Sequence, residues 1–229
     1  MNVKIKSQRL IKSLESKISG DLQLYIAHNI LCSVASDVCL VGGCVRDLLL
    51  DITPKDYDFV CSGDLDEISQ AFSDNKWKVS EVGKQFLVMK VSNPTTCVEF
   101  DIAVYRKDAT YTDGRRPDYT EIGDIFDDCN RRDFTINALY LNLTEMVVFD
   151  PTGYGIDDLS SKPIRFVGKA EMRIREDYLR VFRAYRFSNN LKFEIAPQNL
   201  TTIRRLFNEA VTRTSPERIR IELEKMVGV

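Results

Sequence analysis

The sequence predicts an α+β fold: a sheet of roughly five strands flanked by helices, followed by an all-helical module. Three observations predict it. Short apolar runs bounded by Gly, Asp and Ser recur between residues 38 and 104, as strands do. Apolar residues at helical spacing flank and interrupt those runs. Near residue 165 the composition changes, and the strand pattern stops.

Taken in order, residues 7–31 place Leu10, Ile11, Leu14, Ile18, Leu22, Tyr25, Ile26 and Ile30 at helical spacing with a break at Gly20, which predicts two short helices. Val38 to Val41 reads as a buried strand ended by Gly42-Gly43, and Val45 to Leu50 as a helix. Asp56 to Val60 returns as a strand, and Ile68 to Phe72 fits a helix. Trp77 to Val82, Gln85 to Val91 and the alternating Cys97 to Val104 complete the strands. Residues 106–128 are polar, contain Asp113-Gly114 and Pro117, and read as a long loop, a length that usually carries function or disorder. Thr135 to Tyr140 predicts a helix leading into Val147 to Phe149 and a turn-rich Asp150 to Gly155. Helices are expected at 171–188, 197–209 and 216–227, which places a domain boundary between residues 1–164 and 165–229.

The 229 residues and 44% apolar content support a substantial core. No apolar run approaches the roughly 18 residues of a membrane span, and the N-terminus lacks an apolar signal core, so a soluble, cytoplasmic protein with no membrane partner is expected. Six cysteines without a C-x-x-C pair and a single histidine, His28, argue against a zinc site or redox pair and for buried reduced thiols. Catalysis then has to run on carboxylates, cations and metal. A net charge of -2 hides an asymmetry: residues 1–164 carry -8 and residues 165–229 carry +6, with 11 Arg against 3 Lys in the latter. Arginine forks suit phosphates and base edges, which admits a nucleotide or nucleic-acid partner; a helical surface laced with ion pairs meets the same composition.

Asp56 and Asp58 stand two apart on a predicted strand, and Glu99 and Asp101 repeat the spacing on another, so each pair shares a face. Three converging carboxylates would bind Mg²⁺ through oxygen, although an isolated D-x-D also fits a solvated strand face. Upstream, Gly42-Gly43 permits close backbone approach, and the following helix start carries Arg46, a combination that attracts phosphate. Arg131-Arg132 before a helix fits either a phosphate contact or a solvated cap. Asp177 and Arg180, three apart on a predicted helix with Arg183 and Arg186 continuing the row, pair an acceptor with a donor that can mimic a Watson–Crick edge. A surface ion pair is the plainer alternative.

These residues resemble a known family. Gly42-Gly-Cys-Val-Arg-Asp-Leu-Leu-Leu50 with Lys55-Asp-Tyr-Asp58 is similar to the first motif of class II tRNA nucleotidyltransferases (CCA-adding enzymes) and related bacterial poly(A) polymerases. The likeness continues through Arg131-Arg-Asp-Phe-Thr-Ile-Asn-Ala-Leu139, Asp150 to Leu159, Ile164-Arg-Phe-Val-Gly168, Arg175-Glu-Asp-Tyr-Leu-Arg180 onward to Phe187, and Ser215-Pro-Glu-Arg-Ile-Arg220. It implies a nucleotidyltransferase head over 1–164 and a nucleotide-selecting neck over 165–229. Asp56 and Asp58 match the metal-binding carboxylates, and Asp101 the third acidic residue, with Glu99 as fallback on the same face. Gly42, Gly43 and Arg46 match triphosphate contacts. Arg131, Arg132, Asp133 and Asn137 match the motif handling sugar and phosphates. Glu176, Asp177 and Arg180, with Arg183 and Arg186, match the element that selects CTP and ATP.

The implied reaction is Mg²⁺-assisted attack, of two-metal type, by a tRNA 3′-hydroxyl on the α-phosphate of CTP or ATP, releasing pyrophosphate. Gln85 and Met89 depart from the basic stretch of poly(A) polymerases, which favours tRNA addition. Residues 107–119 resemble the flexible element of full CCA-adding enzymes, which disfavours CC-only or A-only addition. The family continues into body and tail domains beyond the neck, so the sequence ending at Val229 reads as a fragment, or as a short protein that grips RNA through its neck, self-association or a partner chain. The rivals are a non-catalytic nucleotide- or RNA-binding module, and a transferase acting on a small molecule or protein; the Glu176-to-Arg180 element argues against the latter.

Overall fold

The computed structural model describes residues 3–5, 14, 16, 18, 20–115 and 117–228. The first expected helix lies mostly outside them; Leu14, Ser16 and Ile18 are helical. The frame is one mixed sheet of eight strands in the order β1-β10-β9-β2-β3-β6-β5-β4. These are β1 (Val3–Ile5), β2 (Val38–Val41), β3 (Asp58–Cys61), β4 (Lys78–Ser80), β5 (Val88–Ser92), β6 (Glu99–Val104), β9 (Tyr140–Asn142) and β10 (Val147–Asp150). Only β3 and β6 run parallel, with Asp58 opposite Asp101; every other neighbour in the sheet is antiparallel.

The central strand β2 is buried along its whole length, which is why it reads as an unbroken apolar run. Five of these strands were expected. The others escaped because the 3₁₀ turn at Thr135–Asn137 interrupts the predicted helix and releases Tyr140 into β9, and because β1 and β10 are short. The strand expected at Gln85 begins only at Val88, after a 3₁₀ turn over Lys84–Phe86. The expected loop 106–128 holds a hairpin, β7 (Arg106–Asp108) with β8 (Thr120–Ile122), and a helix behind a reciprocal Asp124–Asp127 capping box.

Helices α1 (Leu22–Cys32), α2 (Gly43–Leu49), α3 (Leu65–Asp74), α4 (Ile125–Asn130) and α5 (Gly155–Ser161) accompany the sheet. Asp64 caps α3 by accepting from the Asp66 and Glu67 amides. Beyond residue 165 come α6 (Ala170–Glu176), α7 (Leu179–Leu191), α8 (Pro197–Arg213) and α9 (Pro216–Val227), the last two opening on proline at a first-turn position that needs no amide.

Two expectations are corrected here. Strands do not stop near residue 165, since β12 (Glu194–Ile195) pairs in parallel with β11 (Pro163–Ile164). The helix expected over 171–188 breaks at Asp177, whose backbone is extended (φ -148°, ψ 106°). Its carboxylate accepts from the Leu179 amide at 3.1 Å, so the side chain caps α7 instead of joining it.

One apolar core runs from Leu40, Phe59 and Ile102 to Phe134, Ile174 and Phe182, and so packs the helical part against the sheet. Four cysteines (Cys39, Cys44, Cys61 and Cys129) are buried, and burial pushes each thiol up to about 12; Cys32 and Cys97 are exposed, against the expectation that all are buried. Among the described residues no helix is long and apolar enough to cross a membrane.

Candidate nucleotide-binding cleft

A cleft of about 1000 Å³ opens where the β2–α2 turn and the start of β3 face α7 and α9. Gly42, the turn residue, adopts φ 82° and ψ -133°, a conformation open to glycine. A Cβ there would lie 3.4 Å from Arg132 Nη1 and 3.9 Å from Asp58 Oδ2, ordinary contact distances, so the positive φ of the turn and not a lack of room calls for glycine.

Asp58 begins β3, and Asp56 lies in the irregular segment before it, not on a strand as expected, though still two residues away. Among the described residues neither carboxylate has a hydrogen-bond or ion-pair partner. Burial raises the Asp58 carboxyl above the usual carboxylate range, and the like charges of Asp101 and Asp56 add to this against the pull of Arg132 and Lys90.

Asp101 is adjacent in register but pairs with Lys90 Nζ at 3.0 Å across the β5–β6 ladder, and it does not line the cleft. The three carboxylates therefore do not converge: no group of three metal-ligating side chains is assembled among the described residues. A two-carboxylate edge still fits Mg²⁺, which keeps much of its water and commonly takes one or two carboxylates with substrate phosphates.

The arginines show the opposite arrangement. Arg46 is buried, donates to Asn137 Oδ1 (2.6 Å) and Asp47 Oδ1 (2.8 Å), and stacks 5.0 Å from the Phe187 ring. Asn137 donates to Asp133 Oδ1 (3.1 Å), and Asp133 Oδ2 receives Arg183 Nε (2.8 Å). Burial opposes ionisation of Asp133, but Arg183 and Arg180 overcome it and hold the carboxyl at about 2. Arg131 and Arg132 cap the end of α4 and share the fully buried Asp128. The solvated-cap alternative therefore does not describe them. Arg186 is tied to Glu222 of α9 at 2.5 Å and lies 4.1 Å from the Phe187 ring.

The predicted Asp177–Arg180 pair is not formed. With Asp177 outside the helix, its Oδ2 receives Arg218 Nη2 of α9 at 3.0 Å. Arg180 donates to Glu176 Oε2 (2.7 Å) and to the Arg131 carbonyl (2.6 Å). Both side chains still line the cleft, whereas Glu176 acts behind it, clamped by Arg173 and Arg180.

The cleft thus gathers Gly42, Gly43, Arg46, Asp56, Asp58, Arg131, Arg132, Asp133, Asn137, Asp177, Arg180, Arg183 and Arg186, and leaves Asp101 and Glu176 outside its lining. Sequence reasoning missed Asp128, Phe187, Arg218 and Glu222. Only Asp128 left a readable signal, the three- and four-residue spacing to Arg131 and Arg132.

A mixed sheet whose Gly-Gly turn and adjacent carboxylates face a bank of arginines defines a nucleotidyltransferase head, with a helical C-terminal region behind it. The profile of the poly A polymerase head domain matches residues 38–165, and the chain belongs to that family. It is 36% identical over 198 residues to a CCA-adding enzyme of Leuconostoc citreum, covering 85% of this chain and 46% of that relative. Its fold is similar to that of the Bacillus stearothermophilus CCA-adding enzyme in complex with CTP (TM-score 0.74, 29% identity, 97% of this chain and 49% of that one). The Thermotoga maritima CCA-adding enzyme complexed with tRNA is also similar (TM-score 0.77, 26% identity, 99% and 51%). The chain spans about half the length of the relatives it matches.

Proposed function

We propose that the chain is the head (1–164) and neck (165–229) of a tRNA nucleotidyltransferase that adds CMP and AMP from CTP and ATP to the tRNA 3′ end, releasing pyrophosphate. The observation that carries this reading is one cleft joining two carboxylates, unpartnered among the described residues, to a bank of fixed arginines. The CCA-adding relatives, among them CTP- and tRNA-bound structures, point the same way.

In this reading Asp56 and Asp58 hold Mg²⁺, which when bound neutralises phosphate charge and favours ionisation of the attacking 3′-hydroxyl. Asp101 is the third catalytic carboxylate, held beside Asp58 by Lys90. The Gly42-Gly43 backbone, Arg46, Arg131 and Arg132 receive the triphosphate, and Asp133 and Asn137 hold the sugar-side contacts in place. Asp177 and Arg180 read the base edge from opposite sides of the α6–α7 break, with Glu176 fixing Arg180 and with Arg183 and Arg186 closing that wall. Because phosphoryl transfer asks mainly for positioning and charge neutralisation, a bank of prefixed guanidinium groups suits it.

The test is tRNA ending before CCA, Mg²⁺ and each nucleotide offered separately, beside an Asp56→Ala control. CTP and ATP are expected to be incorporated and GTP and UTP refused. Equal use of all four would sink the base-reading role of Asp177 and Arg180, and AMP addition to any RNA would favour polyadenylation.

A further inference from the structure

We propose that Asp128 is a positioning residue for the triphosphate of the incoming nucleotide, acting through Arg132. The inference rests on reading the cleft as a nucleoside triphosphate site. Asp128 is fully buried and does not line the cleft, so it cannot touch a ligand. Its Oδ2 receives Arg132 Nε at 2.9 Å and Arg132 Nη2 at 2.8 Å, while its Oδ1 receives Arg131 Nε at 2.9 Å.

The same Oδ2 also accepts the Tyr140 hydroxyl at 2.7 Å, and the Arg132 guanidinium stacks 5.4 Å from the Tyr140 ring. Two bonds and one ring face fix the plane of Arg132, leaving Nη1 to project toward the Gly42 turn. A guanidinium fork held in this way loses little further freedom when it meets an anion, and a buried two-point contact to carboxylate sets its direction. Tyr140 comes from β9 and Asp128 from α4, so the aim of Arg132 is set by two elements that the cleft itself does not contain.

Removing a carboxylate that only stabilised the fold would lower stability without discriminating among ligands. A positioning role predicts a loss that grows with the number of phosphates. The experiment measures binding of CTP, CDP and CMP, with Mg²⁺, to the wild-type chain, Asp128→Asn, Tyr140→Phe, Arg132→Ala and the Asp128→Asn/Arg132→Ala double variant.

Asp128→Asn is expected to weaken CTP about 30-fold and CDP less, with CMP unchanged within about twofold. Tyr140→Phe, which keeps the ring and removes only the hydroxyl, is expected to weaken CTP about threefold in the same order. The double variant should lose less CTP affinity than the two single losses added together, any remainder beyond Arg132→Ala passing through the Arg131 that Asp128 also holds. Equal losses for CTP and CMP, or additive losses in the double variant, would overturn the proposal while leaving the nucleotide site standing. Should Asp128→Asn not fold, Tyr140→Phe decides by the same criterion. A wild-type chain that bound no CTP would take down the reading of the cleft and this inference together.

Discussion

Along the head edge of the cleft, Asp56 and Asp58 carry carboxylates with no partner among the described residues, whereas all seven arginines lining the cleft are bonded: Arg46 to Asp47, Arg131 and Arg132 to Asp128, Arg180 to Glu176, Arg183 to Asp133, Arg186 to Glu222 and Arg218 to Asp177. Burial first, and then the crowding of Asp101 and Asp56, disfavours the charged Asp58 carboxylate, and its raised carboxyl records that cost. Paired arginines have their desolvation offset by a carboxylate partner and keep their direction. The contrast separates two ways of building a charged site: one edge keeps its charge open for a cation to complete, and the other is finished in advance.

The sharpest break in that contrast is Asp58→Asn. It is expected to reduce nucleotide transfer on the order of 10³-fold, read in single-turnover extension. Because the folded Asp58 carboxyl lies above its ordinary value, its ionised form opposes folding at neutral pH, so the same variant should melt higher than wild type without metal. Wild type, but not the variant, should then gain melting temperature with Mg²⁺. A variant that melted lower and still gained would show that Asp58 is not an open ligand.

On the finished wall, Asp133→Asn leaves the Arg183 guanidinium without its carboxylate and should cost about 3 kcal/mol in denaturant unfolding. Asp133 and Asp128 are both held at about 2, below their ordinary 3.8. The folded state therefore binds fewer protons, and the contribution is complete above about pH 4 and is lost as pH falls toward 2. Each carboxyl is worth about 2 kcal/mol by this linkage. Acid unfolding of Asp133→Asn should accordingly show a shallower loss across that window, and an unchanged acid limb would refute the pairing.

Gly42→Ala places a methyl in a backbone region suited to glycine and close to Arg132 and Asp58, so it should cost about 2 kcal/mol and lower transfer as well. The smallest effect is expected from Arg220→Ala. Its ion pair with Glu224 is exposed at 3.7 Å, and the change should stay within about 0.5 kcal/mol in the same melts.

Much of the head was legible because its strands are buried runs and its turns carry Gly, Asp and Asn. Val38–Val41 and the glycine turn at Gly42 fall where the pattern puts them, and α2 begins at Gly43, two residues before the expected Val45. The β7–β8 hairpin was not legible: its strands are three residues long and all but Ile122 are polar, so the pairing of Arg106 with Ile122 comes from tertiary packing, not alternation. The Asp177–Arg180 pair was misread for a related reason, since spacing assumes a continuous helix and a single side-chain bond to the Leu179 amide ends it.

The sequence by itself determined which chemical groups are present and in what order: a Gly-Gly turn, two aspartates, an Arg-Arg-Asp run and a basic helical third. Local spacing and composition suffice for that, because they depend on neighbours along the chain. Only the tertiary structure decided which charges are finished and which stay open. Asp128 meets Arg132 on one side of the molecule, Arg218 and Glu222 arrive from α9, and Lys90 crosses from β5 to pair with Asp101, in register beside Asp58. Apart from the Asp128 contact, these pairings join residues that are distant in sequence or lie on different elements, and only packing brings them within hydrogen-bond reach.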